Sequence, residues 1–143
     1  MTHFDSNYLT ITSVAEQHVL TGRWLRSVMP FELHRGYQTL LDIAAERQCR
    51  YWLVDIRRRT SIDALDVHWM HEEFYPRLYP RLGRTTFIAF LMAPHQLAGV
   101  MASMARPAPS TAGEEPYVLQ RFTEEKPALE WLQHQQQLES VVR

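Results

Sequence analysis

Apolar and polar residues alternate near the start of the chain in a way that predicts a β-hairpin. In the segment YLTITSVAEQHVLTGRWL, Leu9 and Ile11 alternate with threonines, and this period of two is typical of a strand. A second apolar run ends at Trp24. The stretch SVAEQ between the runs is short enough for a hairpin, although it lacks Asn-Gly turn chemistry.

The next segment, residues 29–48, has the period of an amphipathic helix. Pro30 suits a first helical turn, where its missing N–H would have no partner in any case. Gly36 is a weak point inside the helix. The apolar residues follow the spacing i, i+4, i+7, i+8 and i+11 of a single stripe: Leu33, Tyr37, Leu40, Leu41 and Ala44.

The later part of the chain alternates strands with helices. The continuous apolar runs YWLVDI and TTFIAFLM predict strands buried on both faces, and YVLQRF predicts a short last strand. Thr60 with Asp63 matches a capping box, so we expect a helix from Thr60 that carries the apolar residues Ile62, Leu65, Trp69 and Phe74. Further helices are expected from Pro94 and after Thr123.

The order of these elements is β, β, α, β, α, β, α, β, α, which predicts an α/β fold. We expect one domain over residues 1–143, with a mixed, mostly parallel sheet, an N-terminal antiparallel hairpin and helices packed on the sheet. The proline-rich and glycine-containing stretch at about 105–116 predicts an exposed, flexible loop. The tail at about 134–143 is expected to fray.

Composition and charge limit the classes of protein to which this chain can belong. The 45% apolar and 22% charged residues are typical of a soluble globular domain, and no apolar run is long enough to span a membrane. The N-terminus lacks the pattern of a signal peptide, and Cys49 is the single cysteine, so we expect a cytoplasmic protein. The net charge of −1 argues against nucleic acid as a partner. Lys126 is the only lysine among 15 basic residues.

Three segments resemble one known family. The hairpin YLTITSVAEQHVLTGRW, the strand YWLVDI before a helix, and the ending QRFTEEKPALEWL resemble STAS-like proteins related to the sporulation anti-sigma-factor antagonist, the SpoIIAA-like group of STAS/SEC14 domains. The resemblance implies a small bacterial α/β domain that binds partners or small ligands. Some members of the family are regulated by phosphorylation.

The family's phosphorylation motif does not carry over to this chain. In the antagonists, a strand ending Leu-Asp-Leu is followed by Asp-Ser-Ser-Gly, and the second serine accepts phosphate. Asp55 and Asp63 match the two aspartates of that pattern, and the residues after Asp63 are Ala64, Leu65 and Asp66. The acceptor position falls on Leu65, which has no hydroxyl group, so an anti-sigma partner is in doubt as well.

The arginine run after the third predicted strand is the leading candidate site. Open α/β sheets bind ligands at the carboxyl ends of their strands, and helix N-termini attract anions. Alternate residues leaving a strand point in opposite directions, so the arginines could equally form a solvated or paired edge. The candidate anion- or ligand-binding residues are Arg57, Arg58, Arg59, Thr60 and Ser61.

The segment HWMHEE is a weak candidate for a metal site. His68, His71 and Glu72 have the spacing i, i+3, i+4, which places them on one helical face. The order matches neither zinc-protease signature, and no further ligand cluster is evident. An exposed polar face is the competing interpretation, and we expect no metal and no cofactor.

The segment EEFYPRLYPRLGR interleaves aromatic residues with arginines. Such a mixture can stack on nucleic-acid bases, or it can form a protein interface, where Tyr, Trp and Arg are enriched. The net charge favours the interface. The candidate interface residues are Trp69, Phe74, Tyr75, Arg77, Tyr79 and Arg81.

Together these patterns favour a non-enzymatic, STAS-like domain that works by protein–protein interaction, as a homodimer. The chain has no G-x-S-x-G motif and no glycine-rich phosphate loop, and Cys49 is expected in or beside the core. An alternative is a sensor of a small anionic molecule or lipid head group held near Arg57–Arg59. An enzyme would need a pocket that joins His68, His71 and Arg57.

Overall fold

The computed structural model describes residues 1–14, 16–59, 63–103 and 116–141. Its strands are β1 (Thr2–Asp5), β2 (Leu9–Val14), β3 (Val19–Trp24), β4 (Tyr51–Asp55), β5 (Thr86–Leu91) and β6 (Tyr117–Phe122). Its α-helices are α1 (Pro30–Arg47), α2 (Ala64–Trp69), α3 (Leu78–Leu82), α4 (Pro94–Ser103) and α5 (Glu125–Val141). A π-helical turn (Met70–Phe74) and a 3-10 turn (Tyr75–Arg77) join α2 to α3.

The described strands form one mixed sheet in which spatial order equals chain order, from β1 to β6. The pairs β1–β2 and β2–β3 are antiparallel, and β3 to β6 run parallel. The predicted α/β class, with an N-terminal antiparallel hairpin and a mostly parallel remainder, is confirmed. Strand β1 was not predicted, because its sequence THFD has no alternating pattern.

Helices cover both faces of the sheet, because the central strands are apolar on both. All residues of β4 and β5 are buried. On one face, α1 and the α2–α3 segment pack against side chains of β2 to β5, and Leu97 of α4 joins them. On the other face, α5 packs through Ala128 and Leu132. No described helix is both long enough and apolar enough to cross a membrane.

Helix α1 forms as its sequence predicts. Pro30 occupies the first turn, and the Glu32 carboxylate accepts a hydrogen bond of 2.9 Å from the backbone N–H of Met29. All five residues of the predicted stripe are buried. Gly36 is buried as well, and a Cβ there would lie 2.5 Å from Cη2 of Trp24, so close packing of α1 on the sheet requires glycine at this position.

The start of α2 differs from the prediction. The helix begins at Ala64, and Asp63 is its N-cap, with Oδ1 accepting a 2.8 Å hydrogen bond from the N–H of Leu65. The prediction that Thr60 caps the helix is therefore wrong, and Thr60, Ser61 and Ile62 lie outside the described residues. Leu65, expected in the core, is 76% exposed.

Two predicted mobile segments have different outcomes. Most of the loop expected at about 105–116 lies outside the described residues. The segment from His134 is helical through Val141, where the sequence led us to expect a frayed end. Arg50 donates to both carboxylate oxygens of Glu139, at 2.7 and 3.0 Å, which attaches this end of α5 to the sheet.

Candidate functional site

The turn that follows β4 at the carboxyl end of the parallel strands contains the three arginines singled out from the sequence. Arg57 wraps back onto Asp55, with Nε 3.0 Å from Oδ1 and a terminal nitrogen 2.9 Å from Oδ2. Arg23, at the same level of the neighbouring strand β3, donates to Oδ2 of Asp55 at 2.8 Å and pairs with Glu125 of α5, also at 2.8 Å. Carboxylates and arginines therefore alternate across this edge.

The electrostatics of Asp55 follow from these contacts. Burial by itself would raise the pKa of Asp55. The hydrogen bonds from the Arg57 side chain and backbone, together with those from Arg23, outweigh the effect of burial and lower the pKa below its ordinary value of 3.8. Asp55 is thus a charged anchor for two guanidinium groups.

Arg59 lies on the other side of the turn. Its side chain is buried, with 5% of the residue exposed, and it pairs with Asp66 of α2 at 3.0 Å. Its guanidinium carbon sits 5.9 Å from the ring centre of Trp24, in the core beneath α1. Among the residues that the structure describes, none accepts a hydrogen bond from Nε of Arg59. Arg57 therefore turns back to Asp55 at the end of β4, whereas Arg59 faces Asp66 of α2 and Trp24 beneath α1.

The backbone of the same turn is held by Gln96, a buried residue of α4. Its Oε1 accepts from the N–H of Ala93 at 2.8 Å, and its Nε2 donates to the carbonyls of Ile56 and Arg59 at 2.9 and 2.6 Å. The carbonyl of Ile56 also accepts from the N–H of Arg59 at 3.1 Å, so the turn is closed by its own backbone as well as by Gln96. Gln96 of α4 therefore holds both ends of the turn, at Ile56 and at Arg59, by hydrogen bonds.

The three arginines do not converge. Arg57 and Arg59 are paired with different carboxylates on opposite sides of the turn, and Arg58 is exposed, with no ion pair among the described residues. Thr60 and Ser61, the other candidates for an anion site, lie outside the described residues. The sequence analysis missed Arg23, which the parallel register of β3 and β4 places directly opposite Asp55.

Two of the six interface candidates are core residues. Phe74 is 1% exposed, and Tyr75 is also buried. Tyr75 stacks on Tyr117 of β6 with ring centres 4.5 Å apart, and burial raises the pKa of its hydroxyl well above 10.0. Phe74 and Tyr75 cannot serve as surface contacts, which corrects the interface prediction for these two positions.

The other interface candidates lie along a seam where the α2–α3 segment runs beside α1. Trp69 stacks on His34 with ring centres 4.0 Å apart. Further along, Arg77 donates to Gln38 at 2.8 Å and Arg81 pairs with Asp42 at 2.9 Å. Tyr79 is partly exposed beside them. The arginines of this segment therefore attach it to α1.

The weak metal candidates are spread over an exposed helical surface. His68, His71 and Glu72 are all exposed, and the ring of His71 meets Tyr75 edge-on at 5.3 Å. Within residues 1–14, 16–59, 63–103 and 116–141, no three His, Cys, Asp or Glu side chains come together as a possible metal site.

Large apolar side chains are exposed where α1 and α2 begin. Both helices run against the direction of the parallel strands, so they run side by side in the same direction. Phe31 lies one turn before His34, and Leu65 lies one turn before Trp69, so both residues lie toward the end of the seam at which α1 and α2 begin. We call Met29, Phe31 and Leu65 the apolar rim; they are 59%, 69% and 76% exposed.

The short helix α2 buries none of its residues. A six-residue helix is marginal in water without packing of an apolar face. Its two most exposed apolar residues are Leu65 and Val67, and both face away from the core. This helix therefore leaves apolar surface available for contact with another molecule.

Comparison of this chain with protein-family models, with curated protein sequences and with solved structures finds no match in any of the three.

Proposed function

We propose that this chain is a non-enzymatic, cytoplasmic, STAS-like binding domain that forms a homodimer through the apolar rim. The observation that carries the proposal is the exposure of three large apolar side chains, Met29, Phe31 and Leu65, at the adjacent ends of two helices. Exposed apolar patches of a few hundred Å² on a monomer are often functional.

The charges around the rim favour a second copy of the chain as the occupant. Asp63 is exposed next to Leu65, and Arg35 is exposed one turn after Phe31. In a two-fold contact, each patch meets an identical patch, so Arg35 of one protomer can face the partner's Asp63 and the reverse. A patch that carries both signs on either side of an apolar centre is complementary to itself.

The contacts at the carboxyl edge support binding over catalysis. Asp55 is held by two arginines that lower its pKa, which suits a structural anchor and not a general acid at neutral pH. The alternative occupants, a small anionic molecule or a lipid head group at Arg57–Arg59, receive less support, because Arg57 and Arg59 already have carboxylate partners.

Sedimentation velocity over a range of protein concentrations tests the dimer. We expect the unmodified chain to dimerise and Leu65→Glu to weaken the dimer at least about tenfold, because the rim would then bury a carboxylate. The matched control is Leu138→Glu, since Leu138 is an exposed leucine, 46% exposed, on α5. Leu65 contributes little to the core, so far-UV circular dichroism should show both variants folded.

Reversing the charge of Arg35 should weaken the dimer less than Leu65→Glu does. Arg35→Glu would place a carboxylate against the partner's Asp63 and should weaken the dimer, and added salt should reduce the difference from the unmodified chain. A chain that stays monomeric at the highest concentration reached, or one in which Leu138→Glu weakens the dimer as much as Leu65→Glu, would exclude dimerisation through the rim. A monomer that retains another protein at the rim would assign the surface to a different partner.

A further inference from the structure

A cavity of about 140 Å³ opens at the amino-terminal end of the parallel strands, whereas the arginine turn lies at their carboxyl end. It lies between the end of the β2–β3 hairpin and the end of α1. Its polar lining comes from Ser13, His18, Arg47 and Cys49, and its apolar wall from Val14, Val19 and Leu20. None of these residues was a candidate for binding in the sequence analysis.

Arg47 supplies the cavity with an unneutralised charge. It is exposed at the last position of α1, and no carboxylate among the described residues lies within ion-pair distance of it. Its influence reaches His3 of the edge strand: burial lowers the pKa of His3, Arg47 and the N-terminal ammonium lower it further, and Glu46 raises it by a smaller amount. At His3 the two cationic groups therefore outweigh the carboxylate of Glu46.

The negative end of the α1 dipole, which would oppose an anion, is offset by the backbone. The N–H of Cys49 donates to the carbonyl of Ala44 at 2.9 Å, and the N–H of Gln48 donates to that of Ala45 at 3.3 Å. Gln48 itself adopts the left-handed conformation that closes a helix, with φ 54°. Two of the last four carbonyls of α1, those of Ala44 and Ala45, thus accept hydrogen bonds and do not face the cavity as free acceptors.

The thiol of Cys49 does not bring a negative charge into the cavity. It donates weakly to the carbonyls of Tyr51 and His18, at 3.4 and 3.5 Å. Burial raises the pKa of the Cys49 thiol to about 11, so it is protonated at neutral pH. A neutral donor at the base of a cavity lined by Arg47 is compatible with an anion.

The remaining polar residues are held in place by the fold. His18 adopts a left-handed conformation, φ 52°, and its N–H donates to the carbonyl of Val14 at 3.1 Å. Gln136 of α5 donates to the carbonyls of Gln17 and His18, at 3.0 and 3.2 Å. Ser13 is fixed by a 2.6 Å hydrogen bond between its Oγ and Nε2 of His3.

We propose that this cavity binds a small oxyanion, a phosphate or a short carboxylate, with Arg47 as the principal contact and Ser13 and His18 as further donors. The volume corresponds to roughly four or five water molecules at about 30 Å³ each, which admits such an ion. The hydrogen bond between Ser13 and His3 and the braced backbone of His18 reduce the entropy lost on binding at these two residues.

Nitrogen-15 chemical-shift titrations test this site. Inorganic phosphate, acetate and sodium chloride are added in separate titrations at matched ionic strength. We expect saturable shifts of the amides of Ser13, His18 and Cys49 with phosphate, with acetate or with both, and no saturation with chloride. Saturation by phosphate alone or by acetate alone supports the site and identifies which oxyanion it prefers.

Variants of two arginines and one serine test where the anion binds. Arg47→Gln should weaken binding at least about tenfold, the effect of losing a hydrogen-bonded charge, and Ser13→Ala should weaken it less. Arg58→Gln is the matched control, because Arg58 is an exposed arginine without a described ion pair at the other end of the sheet. Shifts that chloride reproduces, or affinity lost in Arg58→Gln and kept in Arg47→Gln, would overturn the proposal.

Discussion

Helices α1 and α2 lie side by side on the same face of the sheet but are attached to it by different forces. Helix α1 has 18 residues and buries six of them, whereas α2 has six residues and buries none. The first helix is stabilised by removal of apolar surface from water. The second is positioned by polar and aromatic contacts around it: the Asp63 cap, the Arg59–Asp66 ion pair and the stack of Trp69 on His34.

The difference explains why the apolar residues of α2 remain exposed. A helix that is placed by charged groups at its start does not need its leucine and valine for packing, so Leu65 and Val67 can face outward. It also predicts that the two helices respond differently to the same substitution, and that ion pairs around the turn before α2 contribute measurably to stability.

The largest difference should come from the same substitution in both helices. Leu41→Ala on α1 removes a fully buried side chain and leaves a cavity, so we expect it to lower the free energy of unfolding by about 3–5 kcal/mol. Leu65→Ala on α2 should change it by no more than about 0.5 kcal/mol in the monomer. Urea denaturation followed by tryptophan fluorescence at low protein concentration measures both. Equal losses of unfolding free energy in the two variants would show that Leu65 packs against the rest of the protein in solution. The two helices would then not differ in how they are attached to the sheet.

The ion pair that holds α2 should give a smaller effect. Asp66→Asn leaves the buried guanidinium of Arg59 without a counter-charge while keeping one acceptor, and we expect a loss of about 2–3 kcal/mol in urea denaturation. The control is Asp42→Asn, which breaks the exposed Arg81–Asp42 pair on the seam and should cost less than about 1 kcal/mol. If the two variants lose the same amount, the buried pair does not position α2.

The dependence on pH should be smaller still and confined to acid. Because the folded chain lowers the pKa of Asp55 below 3.8, the unfolded chain binds more protons in that range, and stability falls as pH decreases through it. Asp55→Asn should be about 1–2 kcal/mol less stable than the unmodified chain above about pH 5. The gap should shrink as the pH falls below 3.8, as denaturation curves at a series of pH values would show. A gap that is constant down to pH 3 would mean that Asp55 titrates normally.

The parts of the fold that sequence predicted correctly are those governed by local periodicity. The alternation around Leu9 and Ile11, the helical stripe of α1 and the continuous apolar runs of β4 and β5 each identify an element without knowledge of its neighbours. The start of α2 was missed, because Thr60 and Asp63 are both good capping residues and local preference does not choose between them. Strand β1 forms by pairing with β2, a contact that its own four residues do not encode.

The candidate sites were harder to predict, because they depend on contacts between distant segments. Arg23 joins the site only through the register that places it opposite Asp55, 32 positions away in the chain. The turn at Met70–Phe74 is π-helical, with hydrogen bonds between residues i and i+5. The apolar face therefore departs from the α-helical spacing, and the consecutive residues Phe74 and Tyr75 are both buried. The cavity beside Arg47 is formed by the hairpin and the end of α1, and no motif marks it.

The order of the strands has a consequence for synthesis of the chain. Every described strand after β1 pairs with the strand that precedes it in the sequence, so none of these strands has to wait for a later segment to supply its first neighbour. As the polypeptide leaves the ribosome, the hairpin β2–β3 can form first, and β4, β5 and β6 can then be added one at a time, each with its covering helix. The growing edge exposes only one unpaired strand at any moment, which limits the opportunity for aggregation during translation.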